Sequence, residues 1–228
     1  MVTGHSTKNI AVYVTRLSQG KKVEYEIKQI DYKTANNMVI QNHYLHRKAS
    51  TMFAFGLYNQ LELIGCIIYG KPASPALCKG ICGPEEQNKV LELTRLWVDD
   101  NSKKNAESYL IGNTLKLLPK EYDIIVSYAE IDAGHVGVVY QATNWLYTGL
   151  SDKHIQWIIK NSSNAHSRHL FDKAGGVNAA KELYKNDMIA IQRPRKHRYV
   201  MFRGNKTRKK QLINKLRYKI QPYPKAMI

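Results

Sequence analysis

Apolar runs and polar breaks succeed one another along this chain at spacings that separate strands from helices. Residues 23–30 alternate apolar and polar positions with a period of two, the pattern of a half-buried strand. Residues 32–41 carry helical spacing with few breakers. Two apolar runs, 52–58 and 63–69, flank Asn59-Gln60-Leu61-Glu62 and predict a hairpin. The stretch 71–87 is rich in Gly, Pro and Cys and predicts a long loop, a lid or a ligand-facing excursion. A strand is predicted over 90–98, a polar turn over 99–105, and a helix over 107–118 stopped by Pro119. Residues 122–129 hold the block Ile124-Ile125-Val126 of a fully buried strand. Helical pattern covers 137–147 and ends at Gly149; 154–159 and 197–202 read as strands, and 207–218 as a basic helix. The fold class implied is α+β or α/β, a central mixed sheet flanked by helices.

Length and charge sharpen the picture. At 228 residues the chain fits one domain, or one domain with an appended segment. With 43% hydrophobic and 23% charged residues it can bury a sizeable core. Its 35 Lys and Arg against 18 Asp and Glu give a net +17. From Arg193 onward there are thirteen bases and no acid, so residues 1–192 carry only +4. A nearly neutral body followed by a cationic segment favours an acidic polymer such as nucleic acid, and disfavours a small neutral metabolite as sole partner. Cys66, Cys78 and Cys82 are odd in number and loosely spaced, which argues against a disulfide scaffold and for a reducing compartment. Cys78 and Cys82 lack the second Cys/His pair that a zinc site needs. There is no signal peptide and no apolar run of about 18 residues, so a cytoplasmic protein that crosses no membrane is expected.

Candidate chemistry gathers in the middle of the chain. The strand Leu91-Glu-Leu-Thr-Arg-Leu-Trp-Val98 runs into a polar turn and a helix starting near Asn105. Helix N-termini present free N–H groups and bind phosphates. Ser102, Asn105 and Ser108 add hydroxyl and amide donors there, and Lys103 and Lys104 add charge; an ordinary helix cap is the plain alternative. Downstream, Ser127-Tyr128-Ala129-Glu130 ends a buried strand with a carboxylate, and Gly134-His135-Val136-Gly137 leads into a segment carrying Tyr140. This half of the chain resembles the GCN5-related N-acetyltransferase (GNAT) fold. The resemblance implies an acyl-coenzyme A donor, acetyl-CoA or a related one, with its pyrophosphate on the strand–turn–helix. It also implies Tyr140 as general acid toward the leaving thiolate, and Trp97, Val98, Ser102, Asn105, Ser108 and Asn144 as cofactor-binding residues. The glycine-rich pyrophosphate signature of that fold is replaced by Asn101-Ser102-Lys103-Lys104-Asn105.

Six pieces in one order resemble a narrower group. They are His43-Tyr44-Leu45-His46-Arg47, Tyr69-Gly70-Lys71-Pro72, Leu93-Thr94-Arg95-Leu96-Trp97-Val98, Ser127-Tyr128-Ala129, Gly134-His135-Val136-Gly137 and Tyr140-Gln141-Ala142-Thr143-Asn144-Trp145. Together they look like the Mom family of phage DNA-modification proteins. The resemblance implies a GNAT-like enzyme that attaches a methylcarbamoyl group to the exocyclic amine of adenine in DNA and so shields phage DNA from restriction. On this reading residues 1–192 form the catalytic domain, and 193–228 a basic strand–helix segment that completes it and contacts DNA. Glu130 is the expected base or orienting carboxylate, with Asp132 as fallback. His43 and Tyr44 line the acceptor side, His135 is a secondary candidate, and Arg95 supports the cleft. His43 and His46, three residues apart, suit two ligands of a metal, and the family hints at iron.

Double-stranded DNA is the expected partner, held by Arg193, Arg195, Lys196, Arg198, Lys206, Arg208, Lys209 and Lys210. Reaching an amine inside a duplex requires base flipping, with Trp145, Trp157 or Tyr147 available to cover the base. Two rivals stand beside this reading. One is a GNAT acetyltransferase acting on a protein or small amine, the other a non-catalytic DNA-binding protein on the same scaffold. The group donor, the target sequence and the oligomeric state, a dimer included, stay open.

Overall fold

A computed structural model describes residues 25–160, 171, 173–185 and 187–225. The first strand, β1 (Tyr25–Gln29), buries Tyr25 and Ile27 and leads into α1 (Tyr32–Asn42). Asp31 caps that helix, accepting from the Lys33 and Thr34 amides at 2.9 and 3.0 Å, so two otherwise unpaired N–H groups are satisfied. β2 (Phe53–Asn59) and β3 (Glu62–Gly70) form the expected hairpin, whose tight turn places Gln60 at φ 56°. β4 (Val90–Val98) pairs antiparallel with β3, then α3 (Ala106–Leu117) crosses over to β5 (Ile124–Glu130), which lies parallel to β4. With β6 (Leu146–Leu150) and β9 (Lys196–Phe202) the sheet has seven strands in the order β1-β2-β3-β4-β5-β9-β6. This is the mixed, mainly antiparallel sheet flanked by helices that the sequence leads one to expect.

Two compact units divide the chain. The first takes Met1–Tyr128, Gly137–Gly149 and Arg198–Pro224; the second takes Ala129–Val136, Leu150–His197 and Lys225–Ile228. In the second unit β7 (His154–Ile159) and β8 (Met188–Arg193) pair as their own two-stranded ribbon, with α5 (Val177–Leu183) between them in the chain. In the first unit α1 packs Ala35 and Val39 on Ala54, Cys66 and Ile68. A second cluster joins Cys78, Ile81 and Cys82 to Val90, Ile124, Val126, Val200 and Phe202, and to Leu212 of α6 (Lys206–Lys215).

Three local expectations are corrected. The stretch 71–87 is not an open loop: it folds into α2 (Pro75–Cys82) and a 3-10 turn, Pro84–Lys89. Ser74 caps α2 with Pro75 at its first turn, and Cys78, Ile81 and Cys82 fall on one buried face at helical spacing. The helix expected over 137–147 is only α4 (Val138–Ala142). It stops at Thr143 and at Asn144, which adopts the left-handed conformation at φ 59°, and Trp145, Tyr147 and Gly149 then take up strand burial. Strand β8 and helix α5 lie in a stretch the sequence left unread. Among the described residues no helix is long and apolar enough to cross a membrane.

Candidate active site

Strands β4 and β5 are neighbours for only part of their length. Their ladder runs through Val90–Ile124, Leu91–Ile125 and Glu92–Val126 and stops there. At the next position a side chain takes over: Ser127 Oγ donates to the Leu93 carbonyl at 2.9 Å. Beyond it β4 continues to Val98, with Thr94 as the extra residue of a bulge against β3; its hydroxyl donates to the Ile68 carbonyl at 3.2 Å. Bulges re-aim side chains and end pairing, and they concentrate near active sites. The edge of β4 past Glu92 is therefore left unmatched by β5.

Tyr140 closes on this split. Its hydroxyl lies 2.8 Å from Ser127 Oγ, and the residue is only 7% exposed. Burial pushes its phenol up to about 12, the Ser127 hydrogen bond pulls the other way, and the charge of Glu92 and the Tyr199 hydroxyl add to the rise. The turn before α4 requires a glycine: Gly137 sits at φ 78°, and a Cβ there would lie 2.4 Å from the Tyr199 ring. Tyr140 packs on Trp145 and Tyr199 with ring centroids 5.2 and 5.1 Å apart, and Tyr199 in turn packs on Tyr147. The segment after α6 fastens this aromatic cluster. The Gln221 amide donates to the Tyr147 carbonyl at 2.9 Å, and Tyr223 donates to the Trp145 carbonyl at 2.8 Å. Gln141 Nε2 donates to the Tyr199 hydroxyl and to the Pro224 carbonyl, both at 3.2 Å. Trp145 and Tyr147 are thus core residues and not covers for a base.

The expected cofactor residues lie along β4 and at the start of α3. Val98 is buried and Trp97 half-buried near the end of β4. Asn105 takes the left-handed N-cap position at φ 72°, and its side chain makes no capping bond. In the first turn the Ala106 amide donates to the Lys103 carbonyl and the Tyr109 amide to the Asn105 carbonyl, beside exposed Lys103 and Lys104 and half-buried Ser102 and Ser108. The Lys103 amide is tied back to Tyr25, donating to its hydroxyl at 2.9 Å. Asn144 is exposed and serves to end α4.

His43 ends α1, buried to 8% exposure and stacked on Tyr44 with centroids 4.4 Å apart. Its Nδ1 accepts the Leu45 amide at 3.1 Å, so the neutral ring carries its proton on Nε2. The His46 ring bonds the Ile40 carbonyl through Nδ1 at 2.9 Å, which makes that nitrogen a donor. Both Nδ1 atoms are engaged, and among the described residues no group of three His, Cys, Asp or Glu is placed to hold a metal. The iron expectation does not fit these residues, and no step is derived through it. The thiols of Cys66 and Cys82 are buried and pushed up to about 12, the state of inert core cysteines.

In the second unit Glu130 forms an ion pair with Lys196, so two residues expected to serve catalysis and DNA engage one another. Asp132 and His135 are exposed. Arg195 donates to the Leu150 and Ser151 carbonyls, and Arg193 to the Gln156 side chain. In the first unit two more expected DNA contacts are structural. Arg198 is buried, bonded to Thr148, and lies 3.5 Å over the Tyr218 ring. Arg208 binds Glu86 at 2.6 Å and Asp123 at 2.7 Å. Lys206, Lys209 and Lys210 are exposed. Sequence reading missed Glu92 and Ser127. Their signal, polar positions within otherwise apolar strands, was present at 90–98 and 122–129.

The model of the Mom protein family matches residues 24–225. A relative from Escherichia phage Mu, named methylcarbamoylase mom, is 25% identical over 221 residues, covering 91% of this chain and 88% of its own. Among solved structures, an IAA acetyltransferase from Bacillus cereus aligns with TM-score 0.43 and 12% identity, over 78% of this chain and 99% of its own. An N-acetyltransferase from Staphylococcus aureus aligns with TM-score 0.42 and 14% identity, over 78% and 97%. These two likenesses are too distant to bear on function. The family match spans the sheet, the split between β4 and β5 and the Tyr140 helix alike, and this chain belongs to the Mom protein family.

Proposed function

We propose that the protein is a group transferase that places a methylcarbamoyl group on the exocyclic amine of adenine in DNA and thereby protects the DNA from restriction nucleases. The observation that carries this reading is the buried Tyr140–Ser127 pair set where β4 and β5 part. The name of the phage Mu relative and the family match support the class of reaction. The unmatched edge of β4 and the start of α3 fit an acyl-CoA donor: backbone groups for the amides of its arm, and the helix N-terminus with Ser102, Ser108, Lys103 and Lys104 for its diphosphate. Such a thioester would supply an activated two-carbon acyl group when bound, and the amide nitrogen of the product would come from a second, nitrogen-bearing donor.

The chain's own part is to orient and to move protons. An aromatic amine is a weak nucleophile, so it must be held in line and relieved of a proton as it attacks. Tyr140 is the donor in reach of the split, and its phenol, raised by burial, stays protonated at neutral pH and available to the departing group. Glu92 is the carboxylate of the same unit whose charge bears on Tyr140, which suits it to orient the amine. Lys206, Lys209 and Lys210 provide phosphate contacts, which position DNA without reading its bases.

Expression in a bacterial host followed by nucleoside mass spectrometry of the host DNA tests the proposal. Wild type should yield a modified adenine, and Tyr140→Phe about 10²- to 10⁴-fold less under limiting enzyme, with the fold retained. An unmodified adenine pool with wild type overturns the DNA reading. Wild-type adduct levels in Tyr140→Phe overturn the role of Tyr140.

A further inference from the structure

Ser127 Oγ has two neighbours, the Leu93 carbonyl at 2.9 Å and the Tyr140 hydroxyl at 2.8 Å. A serine hydroxyl carries one proton, and a carbonyl oxygen can only accept. Ser127 Oγ is the donor to both, so its one proton is shared between the Leu93 carbonyl and the Tyr140 hydroxyl. Both hydroxyls are buried, Ser127 to 1% exposure. This arrangement is fixed by strand register, because Ser127 stands at the first position where β5 no longer pairs with β4.

We infer that Ser127 is a positioning residue: its donated hydrogen bond fixes the Tyr140 oxygen and, with the serine O–H turned fully from Leu93 to Tyr140, stabilises the tyrosinate left after the Tyr140 proton departs. The inference rests on the proposed transfer reaction. In the step concerned the donor's C–S bond would break as the N–C bond to the amine forms, and the Tyr140 O–H bond would break as the S–H bond of the departing thiol forms. The negative charge passes from thiolate to phenolate, and Ser127 then donates to that phenolate. Rotation about one side-chain bond is enough, so backbone and sheet stay in place. Two groups besides burial oppose its ionisation, Glu92 from β4 and the Tyr199 hydroxyl on β9. Ser127 is the neighbour that favours the phenolate. Without it, a buried phenolate has no donor in this set, and an unpaired charge away from water is strongly disfavoured.

Three variants and two readouts test this. In transfer assays on duplex DNA, Ser127→Ala should lower kcat about 10- to 100-fold, the equivalent of one hydrogen bond to a charged group, with KM for DNA unchanged. Ser127→Thr should restore most of the loss. In a Tyr140→Phe background, Ser127→Ala should add nothing, because the two hydroxyls act as one unit. Independent effects, or a rise in KM alone, would overturn the inference. The second readout needs no activity. Difluorotyrosine placed at position 140, whose lower intrinsic pKa brings ionisation into the stable range, is titrated by ¹⁹F NMR. Ser127→Ala should move its ionisation to higher pH and Ser127→Thr should leave it in place; an unmoved titration in Ser127→Ala refutes the role. If wild type transfers nothing while the titration shifts as expected, the functional reading fails and the hydrogen-bond assignment stands.

Discussion

Helix α6 has two faces built from the same kind of residue and put to different use. Its inner face holds Arg208, Leu212 and Lys215, at the spacing of one helical stripe. Leu212 enters the core while Arg208 and Lys215 converge on Glu86, whose side chain is 3% exposed. Its outer face presents Lys206, Lys209 and Lys210 to solvent. A cation is defined by what stands opposite it. On the inner face the acids opposite are protein, and the helix is docked. On the outer face, among the described residues, no ion pair holds Lys206, Lys209 or Lys210, and the DNA contact proposed above falls there. The bases of this helix are thus two groups, one that docks it and one that faces solvent.

Removing an inner cation should have the largest effect. Arg208→Ala leaves Glu86 and Asp123 partly uncompensated in a buried setting and should destabilise the fold by on the order of 3 kcal/mol in denaturant titration. A change within about 0.5 kcal/mol, the range of ordinary surface sites, would erase the distinction between the faces. Changing Lys206, Lys209 and Lys210 together to Gln should do the reverse. Stability should stay within about 0.5 kcal/mol, while the slope of log affinity against log salt for duplex DNA flattens by about three units. An unchanged slope would place the DNA elsewhere. The smallest effect is in pH. Arg208, with Lys215 and Lys89 helping, holds the Glu86 carboxyl well below the usual carboxylate range. A lowered folded-state pKa contributes stability that is fully present above the unfolded value near about 4.3 and is lost as pH falls below it. The melting temperature should therefore be level from neutral pH to about 5 and decline on further acidification, with a shallower decline in Arg208→Ala.

Much of the sheet was legible because strand alternation is a local signal. Residues 90–98 and the hairpin at 53–70 follow their patterns almost residue for residue. Helix α2 was hidden by composition: its Gly, Pro and Cys residues suggested a loop, yet Ser74 and Pro75 are start signals and Cys78, Ile81 and Cys82 an apolar stripe. The ribbon of β7 and β8 was half legible, since Ile159 pairs with Met188 across a long stretch and β8 carries no partner signal of its own nearby. For the site, Tyr140 stood out by its motif, whereas Ser127 and Glu92 acquire roles only through the register of β4 against β5. The partition of cations was beyond local reading. Arg208 meets Asp123 and Glu86 across 85 and 122 residues, and no pattern along the chain announces such a meeting.

The clasp of residues 221–224 on the Tyr140 cluster also sets an order of events during synthesis. The sheet strands through β5 and the helix bearing Tyr140 leave the ribosome long before Gln221 and Tyr223, whose hydrogen bonds fasten the Tyr147 and Trp145 carbonyls. Until those residues emerge, Trp145 and Tyr199 have their ring neighbours but not the segment that covers them. Sites closed by distant segments assemble late. A nascent chain of this protein can therefore hold its sheet before it can fasten the Tyr140 cluster, which waits for residues 221–224 to emerge.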